Sequence, residues 1–129
     1  MGSGADVRVL KAGGTVLVVD DHDHVRELLS MALEALGFVV EAVTNGQEAL
    51  PLLKHRRYDA VICDLEMPVM CGDELFRLCQ QEHPEAARRF IFLSGSLTRS
   101  HAATGTGQPF LAKPCRMTDL QSAIAALSS

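Results

Sequence analysis

The feature that most limits the fold of this chain is a fivefold alternation of short apolar runs with segments of helical periodicity. The first run, Thr15-Val16-Leu17-Val18-Val19, has no polar alternation, which is typical of a strand covered on both faces. Gly37 follows the next periodic segment and fits a helix C-cap. The apolar residues between them share the spacing of one helix face: Val25, Leu28, Leu29, Ala32, Leu33 and Leu36.

Four further units of the same kind follow. The predicted strands cover residues 38–43, 58–63, 90–93 and 110–112. Helical spacing follows Asn45-Gly46, the loop with Pro68 and Gly72, and Met117. Pro51 falls inside the second predicted helix and is expected to shorten or kink it. Because Gly, Ser and Thr dominate residues 96–109, we expect a fourth helix there to be short, disordered or absent.

Five strand–helix units with buried strands predict a doubly wound α/β fold with a five-stranded parallel sheet. Short connections favour the flavodoxin-like strand order 2-1-3-4-5, with helices on both faces. The length of 129 residues suits one domain. Residues 1–14 lack periodicity and are interpreted as a tail or linker, which leaves 15–129 as the folded domain.

Composition excludes several functional classes. A net charge of −4 gives no reason to expect nucleic-acid binding. The small basic clusters His55-Arg56-Arg57 and Arg88-Arg89 are interpreted as solvated helix ends. No apolar run approaches the ~20 residues of a membrane span, and no signal-peptide pattern is present, so we expect no membrane contact by this domain. The four cysteines lack metal-ligand spacing and are interpreted as reduced thiols of a cytoplasmic protein.

Polar residues stand where four of the predicted strands end. Asp20 and Asp21 follow the first strand, Asp64 the third, Ser94 the fourth and Lys113 the fifth. Ligands of open α/β sheets bind outside the carboxyl ends of the strands, at the point where the winding reverses. Any one of these residues is also typical of a helix cap or loop. It is the set of five that predicts a site.

Three neighbouring carboxylates repel one another unless a cation is present. Oxygen ligands select a hard cation, and a small open site that keeps water suits Mg²⁺. A lysine and a hydroxyl beside them can neutralise a phosphoryl group, and a carboxylate can itself be the nucleophile that forms an aspartyl phosphate. The chemistry predicted for the set is therefore phosphoryl transfer.

Five motifs occur in a characteristic order along the chain. They are Val-Val-Asp-Asp (18–21), Asn-Gly-Gln-Glu-Ala-Leu (45–50), Asp-Leu-Glu-Met-Pro-x-Met-x-Gly (64–72), Leu-Ser-Gly (93–95) and Phe-Leu-x-Lys-Pro (110–114). Each is weak alone, but together they resemble the receiver domains of two-component response regulators. The resemblance runs from about Thr15 to Leu127.

This resemblance implies a role for each site residue. Asp64 would accept a phosphoryl group from a kinase phosphohistidine. Asp20 and Asp21 would hold Mg²⁺, with Asp64 and the backbone carbonyl of Glu66 as the other protein ligands. Lys113 would contact a phosphoryl oxygen.

The resemblance also implies a conformational switch. Ser94 would donate its hydroxyl to the phosphoryl group, and this movement would be coupled to Phe110 swinging inward. The alternative for Phe110 is a plain core aromatic. The Lys113–Pro114 peptide resembles a cis-proline of the family, whereas Cys115 stands where the family often has an aromatic residue.

Other readings of the acidic residues remain open. His22 and His24 invite a zinc or general-base interpretation, although residues at the start of a helix explain them more simply. The segment Asp21-His22-Asp23-His24-Val25 fits the D-x-D-x-[TV] signature of haloacid-dehalogenase-like phosphatases, which would make Asp21 the nucleophile. That reading leaves Asp64 unexplained. A degenerate receiver, kept only as a protein-interaction module, is the third possibility.

The lead-in to the first strand, with Gly13-Gly14, resembles that of receivers at the C-terminus of hybrid sensor histidine kinases. In that setting Asp64 would take a phosphoryl group from a histidine of its own kinase core. It would then pass the group to a histidine phosphotransfer protein. The domain itself would promote two reactions: phosphotransfer to Asp64, and its own dephosphorylation at a slow rate.

Overall fold

The computed structural model describes residues 14–95 and 105–127. Its strands are β1 (Thr15–Val19), β2 (Val39–Val43), β3 (Ala60–Asp64), β4 (Phe90–Ser94) and β5 (Phe110–Ala112). The helices of the described ranges are α1 (Asp23–Ala35), α2 (Gly46–His55), α3 (Gly72–Glu82), the short α4 (Pro84–Ala87) and α5 (Met117–Leu127).

The five strands form one sheet in the order β2-β1-β3-β4-β5, and every pair is parallel. This confirms the predicted doubly wound α/β architecture. β3 lies between β1 and β4, so its carboxyl end opens at the centre of the sheet. β5 is an edge strand that pairs with β4 over three residues only.

Alternate residues of the central strands pack into two separate cores, one on each face of the sheet. Leu17 and Val19 of β1 pack with the apolar faces of α2 and α3, and Val16 and Val18 pack with those of α1 and α5. β1, β3 and β4 are therefore buried on both sides, which explains their lack of polar alternation. Each fully buried apolar side chain contributes about 1.5–3 kcal/mol to stability.

The predicted strand bounds were correct to within two residues. Asp64 is the last residue of β3 rather than the first beyond it. Phe38 precedes β2 and closes the end of α1: its amide donates to the carbonyl of Leu33, and Gly37 takes a positive φ of 100°. α4 was not predicted, because its four residues are too few to show periodicity.

Pro51, which was expected to shorten or kink α2, lies within this helix, and the helix continues beyond it to His55. Asn45 caps this helix, because its side chain accepts the amide of Glu48 at 2.9 Å. The expected tail at 1–14 lies outside the described residues except for Gly14. The expected fourth helix at 96–109 does so except for residues 105–109, which form turns.

Candidate functional site

The sheet brings the five predicted polar residues together at the carboxyl ends of its strands. Asp20, Asp64 and Ser94 are buried at the carboxyl ends of β1, β3 and β4. Lys113 follows β5, and its Nζ lies 3.0 Å from Oδ2 of Asp64 and 3.2 Å from Oδ2 of Asp20. Asp21 follows Asp20 and remains partly exposed. The convergence predicted from the strand ends is present in the structure.

Asp64 is held from two sides. Its Oδ1 accepts the backbone amide of Glu66 at 3.0 Å, and its Oδ2 accepts Nζ of Lys113. Burial raises the pKa of Asp64 above its ordinary value, and the negative charge of Asp20 raises it further. The two hydrogen bonds and the charge of Lys113 act in the opposite direction without cancelling the rise. The carboxylate is therefore fixed in position but poorly compensated in charge.

Lys113 is the cationic partner of this buried pair of acids. Burial acts to lower its pKa, but the hydrogen bond to Asp64 and the negative charges of Asp64 and Asp20 outweigh burial, so the pKa is raised. The ammonium form therefore persists at neutral pH. The peptide bond between Lys113 and Pro114 is cis.

The acidic residues form a compact set of possible metal ligands. Ligand atoms of Asp20, Asp21, His22 and Asp64 all lie within 4.8 Å of one another. Within the described residues, the buried Oδ2 of Asp20 and Oδ1 of Asp21 accept no hydrogen bond. Lys113 gives the first of these oxygens an ion pair, but not a hydrogen bond. Buried carboxylate oxygens that lack donors fit a hard divalent cation.

His22 lies closer to these acids than the sequence suggested. It occupies the N-cap position of α1, as expected for a residue at a helix start. Its Nδ1 lies 3.3 Å from Oδ1 of both Asp20 and Asp21, while most of the side chain is exposed. His24 is an exposed residue within the first turn of α1.

Sequence reasoning missed Arg26. Its guanidinium donates to the backbone carbonyl of Asp20 at 2.9 Å and pairs with Asp23. This contact ties α1 to the end of β1. The only available signal was weak, namely that Arg26 lies one turn into a helix beginning beside the acids.

A family model described as "Response regulator receiver domain" matches residues 16–125. The chain belongs to this family. The receiver is similar to the regulatory protein LuxO of Vibrio vulnificus, with 32% identity over 105 residues that cover 81% of this chain and 23% of LuxO. It is 38% identical over 88 residues to the sensor kinase CckA of Brucella abortus, which covers 67% of this chain and 9% of CckA. The receiver thus spans less than a quarter of the length of these two curated relatives.

A solved structure has the same fold. The receiver domain of the sensor histidine kinase PA1611 from Pseudomonas aeruginosa aligns with a TM-score of 0.82 and 27% identity, covering 92% of this chain and all of that one. That structure has a magnesium ion coordinated in its active-site cleft. This chain is thus a receiver domain of two-component systems with relatives among sensor kinases.

The loop after β3 shapes the receiver site from below. Gly72 begins α3, and a Cβ atom at this position would lie 2.5 Å from the carbonyl oxygen of Asp64. Val69, in the same loop, has a φ of 71°, which is unusual for a β-branched residue. The exposed Glu66 accepts the amide of Gly95 through Oε1 at 3.2 Å and so joins the loops after β3 and β4.

Phe110 is not a core aromatic. Its side chain lies on the edge strand β5 and is 39% exposed, whereas its register partner Phe92 on β4 is buried. Ser94, the other residue of the expected switch, is buried at the end of β4. Within the described ranges, no helix of this receiver is long and apolar enough to cross a bilayer.

Proposed function

We propose that this receiver accepts a phosphoryl group on Asp64 from a kinase phosphohistidine, with Mg²⁺ bound beside it. The observation that carries the proposal is the position of the Asp64 carboxylate. It is buried at the carboxyl end of the central strand β3, 3.0 Å from the ammonium of Lys113 and beside further acids. The haloacid-dehalogenase-like alternative makes Asp21 the nucleophile, but Asp21 has no contact with Lys113 in the described structure.

In this proposal an oxygen of Asp64 forms a bond to phosphorus while the P–N bond of the phosphohistidine breaks. The electron pair of that bond stays on the ring nitrogen, and a ring protonated at its other nitrogen leaves as neutral imidazole. The Glu66 amide fixes one oxygen of Asp64. Lys113 offsets the charge of the phosphoryl oxygens.

The residues that would hold Mg²⁺ are Asp20, Asp21, Asp64 and the backbone carbonyl of Glu66. The buried oxygens of Asp20 and Asp21 that accept no hydrogen bond within the described residues support this assignment. When bound, the ion supplies positive charge that offsets the repulsion between these carboxylates and an incoming phosphoryl group. His22 lies beside the same oxygens but is a softer ligand than Mg²⁺ prefers.

After transfer, the hydroxyl of Ser94 would donate to a phosphoryl oxygen, and Phe110 would move inward from its exposed position. The partners we propose are a histidine kinase core and a histidine phosphotransfer protein. In the hybrid setting, the kinase core belongs to the same polypeptide as the receiver. Similarity to the sensor kinase CckA supports the hybrid setting. A cytoplasmic location is part of the same proposal, because the phosphodonor would be the kinase core of that polypeptide. The full reading frame around this chain tests it: a kinase core is expected there, and its absence would reject the hybrid setting.

The phosphorylation test uses acetyl phosphate with Mg²⁺ or with EDTA, followed by intact mass and peptide mapping. Wild type is expected to gain one phosphoryl group on Asp64 only with Mg²⁺, and Asp64→Asn to gain none. Asp21→Asn should need more Mg²⁺ but keep the label on Asp64. Asp23→Asn is the matched control, because Asp23 is an exposed neighbouring acid outside the cluster. A label on Asp21 would favour the phosphatase, and no label at all would favour a pure interaction module.

A further inference from the structure

A cavity lies at the opposite end of the sheet from the phosphoacceptor site. It has a volume of about 490 Å³ and is bounded by the end of α2, the start of β3 and the segment around α4. Arg57 precedes β3 and Arg89 precedes β4, so both mark the amino ends of these strands. Val61, the β3 residue that lines this cavity, precedes Asp64 by three positions, a distance of roughly 10 Å along the strand.

The cavity brings together arginines from the two basic clusters that the sequence suggested were separate solvated helix ends. The basic residues that line it are Arg56, Arg57, Arg89 and His83, and Glu85 is the one acid among its described lining residues. The net charge of the whole chain is −4, so the charge of this surface is opposite in sign to that of the chain. Long-range folding, not local sequence, brings these side chains together.

Two of these arginines have no carboxylate partner among the described residues. Arg56 forms an ion pair with Glu41, and Glu41 also accepts the hydroxyl of Tyr58. Across residues 14–95 and 105–127, no carboxylate lies within 4.0 Å of the guanidinium groups of Arg57 or Arg89. Guanidinium groups bind carboxylate and phosphate groups through paired hydrogen bonds, so an anion from outside would complete this arrangement.

The floor of the cavity is apolar. Leu53 of α2 and Val61 of β3 are buried core residues that reach it, and Pro84 and Ala86 form part of its wall. A volume of this size accommodates a small molecule rather than a protein surface. Basic groups above an apolar floor suit a ligand that has a charged head and an apolar body.

We propose that this cavity binds a small organic anion whose carboxylate or phosphate-type group pairs with Arg57 and Arg89 while its apolar body contacts Leu53 and Val61. The site is independent of the phosphoacceptor, because it shares no residue with it. It would give this receiver a small-molecule input in addition to phosphorylation.

The test is an NMR titration of the 129-residue protein with phenylphosphonate as the probe. Saturable shifts are expected for amides of Leu53, Val61 and Ala86. Benzyl alcohol, which lacks the charge, and inorganic phosphate, which lacks the apolar body, should each bind about tenfold more weakly or worse. Shifts confined to amides around Asp64, or no saturation, would overturn the proposal.

Variants assign the binding to the two arginines. Arg57→Gln and Arg89→Gln should each lower the affinity for phenylphosphonate by about tenfold, the loss expected for one charge-assisted contact. Arg77→Gln is the matched control, because Arg77 is an exposed arginine of α3 that lies outside the cavity lining. Asp64→Asn should bind like wild type, which separates this site from the proposed phosphorylation. Wild-type affinity in the double variant of Arg57 and Arg89 would reject the assignment.

Discussion

Gly72 lies directly against the backbone of Asp64. Its amide donates to the carbonyl of Leu65 at 3.2 Å, and a Cβ added to it would meet the carbonyl oxygen of Asp64 at 2.5 Å. The glycine of the motif is therefore required by a close approach of two backbones, not by an unusual φ. The loop after β3 folds tightly under the phosphoacceptor because this residue has no side chain.

Gly72→Ala is expected to lower the free energy of unfolding by about 1–3 kcal/mol, because backbone atoms must move to admit the new methyl group. Acetyl phosphate labelling should slow as Asp64 is displaced. Urea unfolding and intact mass measure the two effects. Gly46→Ala is the control: there the new Cβ would meet the flexible side chain of Met70, so stability should change by less than about 1 kcal/mol. Equal losses in the two variants would contradict this explanation.

Val69→Asn is expected to stabilise the receiver by about 1 kcal/mol. Val69 is 68% exposed and has a φ of 71°, a conformation that asparagine adopts at lower cost than a β-branched residue. Thermal and urea unfolding measure the change. The same substitution at Val39, an exposed valine on β2, should instead reduce stability by a few tenths to about 1 kcal/mol. A loss of stability at both positions would show that Val69 is not strained.

The charge of Asp64 is expected to make the receiver less stable as pH rises. Burial raises the pKa of Asp64 in the folded state above its value in the unfolded chain. The unfolded state therefore releases this proton first, and the contribution of Asp64 to stability falls as pH increases through the folded-state pKa. With EDTA present, Asp64→Asn should gain stability over wild type between acid and neutral pH. Urea unfolding across that range measures it, and a difference independent of pH would reject the prediction.

The four cysteines are free, and they should differ in reactivity. Cys63 and Cys79 are fully buried, and burial raises the pKa of both thiols, that of Cys79 to about 11. At pH 8 we expect Ellman's reagent to modify Cys71 and Cys115 first. Cys63 and Cys79 should react only when the protein unfolds. Peptide mapping after timed labelling measures the order, and early modification of Cys79 would show that the core opens locally.

The sheet and the central site could be predicted because their signals are local. A buried parallel strand is recognisable as an apolar run. A carboxylate at its end, such as Asp64 after Cys63, can be recognised without knowing which strands pair with it. Strand order followed from general rules of connection. Lys113 could be placed for the same reason, although its strand has only three residues.

Three features could not be predicted because they depend on distant packing. The exposure of Phe110 depends on the edge position of β5, which its own three-residue run does not reveal. The presence of Arg57 and Arg89 in one cavity lining depends on how the amino ends of β3 and β4 align. The contact of His22 with both acids depends on the angle at which α1 leaves β1.

The short pairing of β5 has a consequence for local stability. β5 has three register pairs on one side and, among the described residues, no strand on the other. It therefore has the fewest strand pairings in the sheet and is expected to exchange its amide hydrogens early. Lys113 directly follows this strand and pairs with Asp64 on the buried central strand β3. This ion pair connects the edge strand to the central strand. A change in the charge of Asp64 is therefore expected to change the local stability of β5.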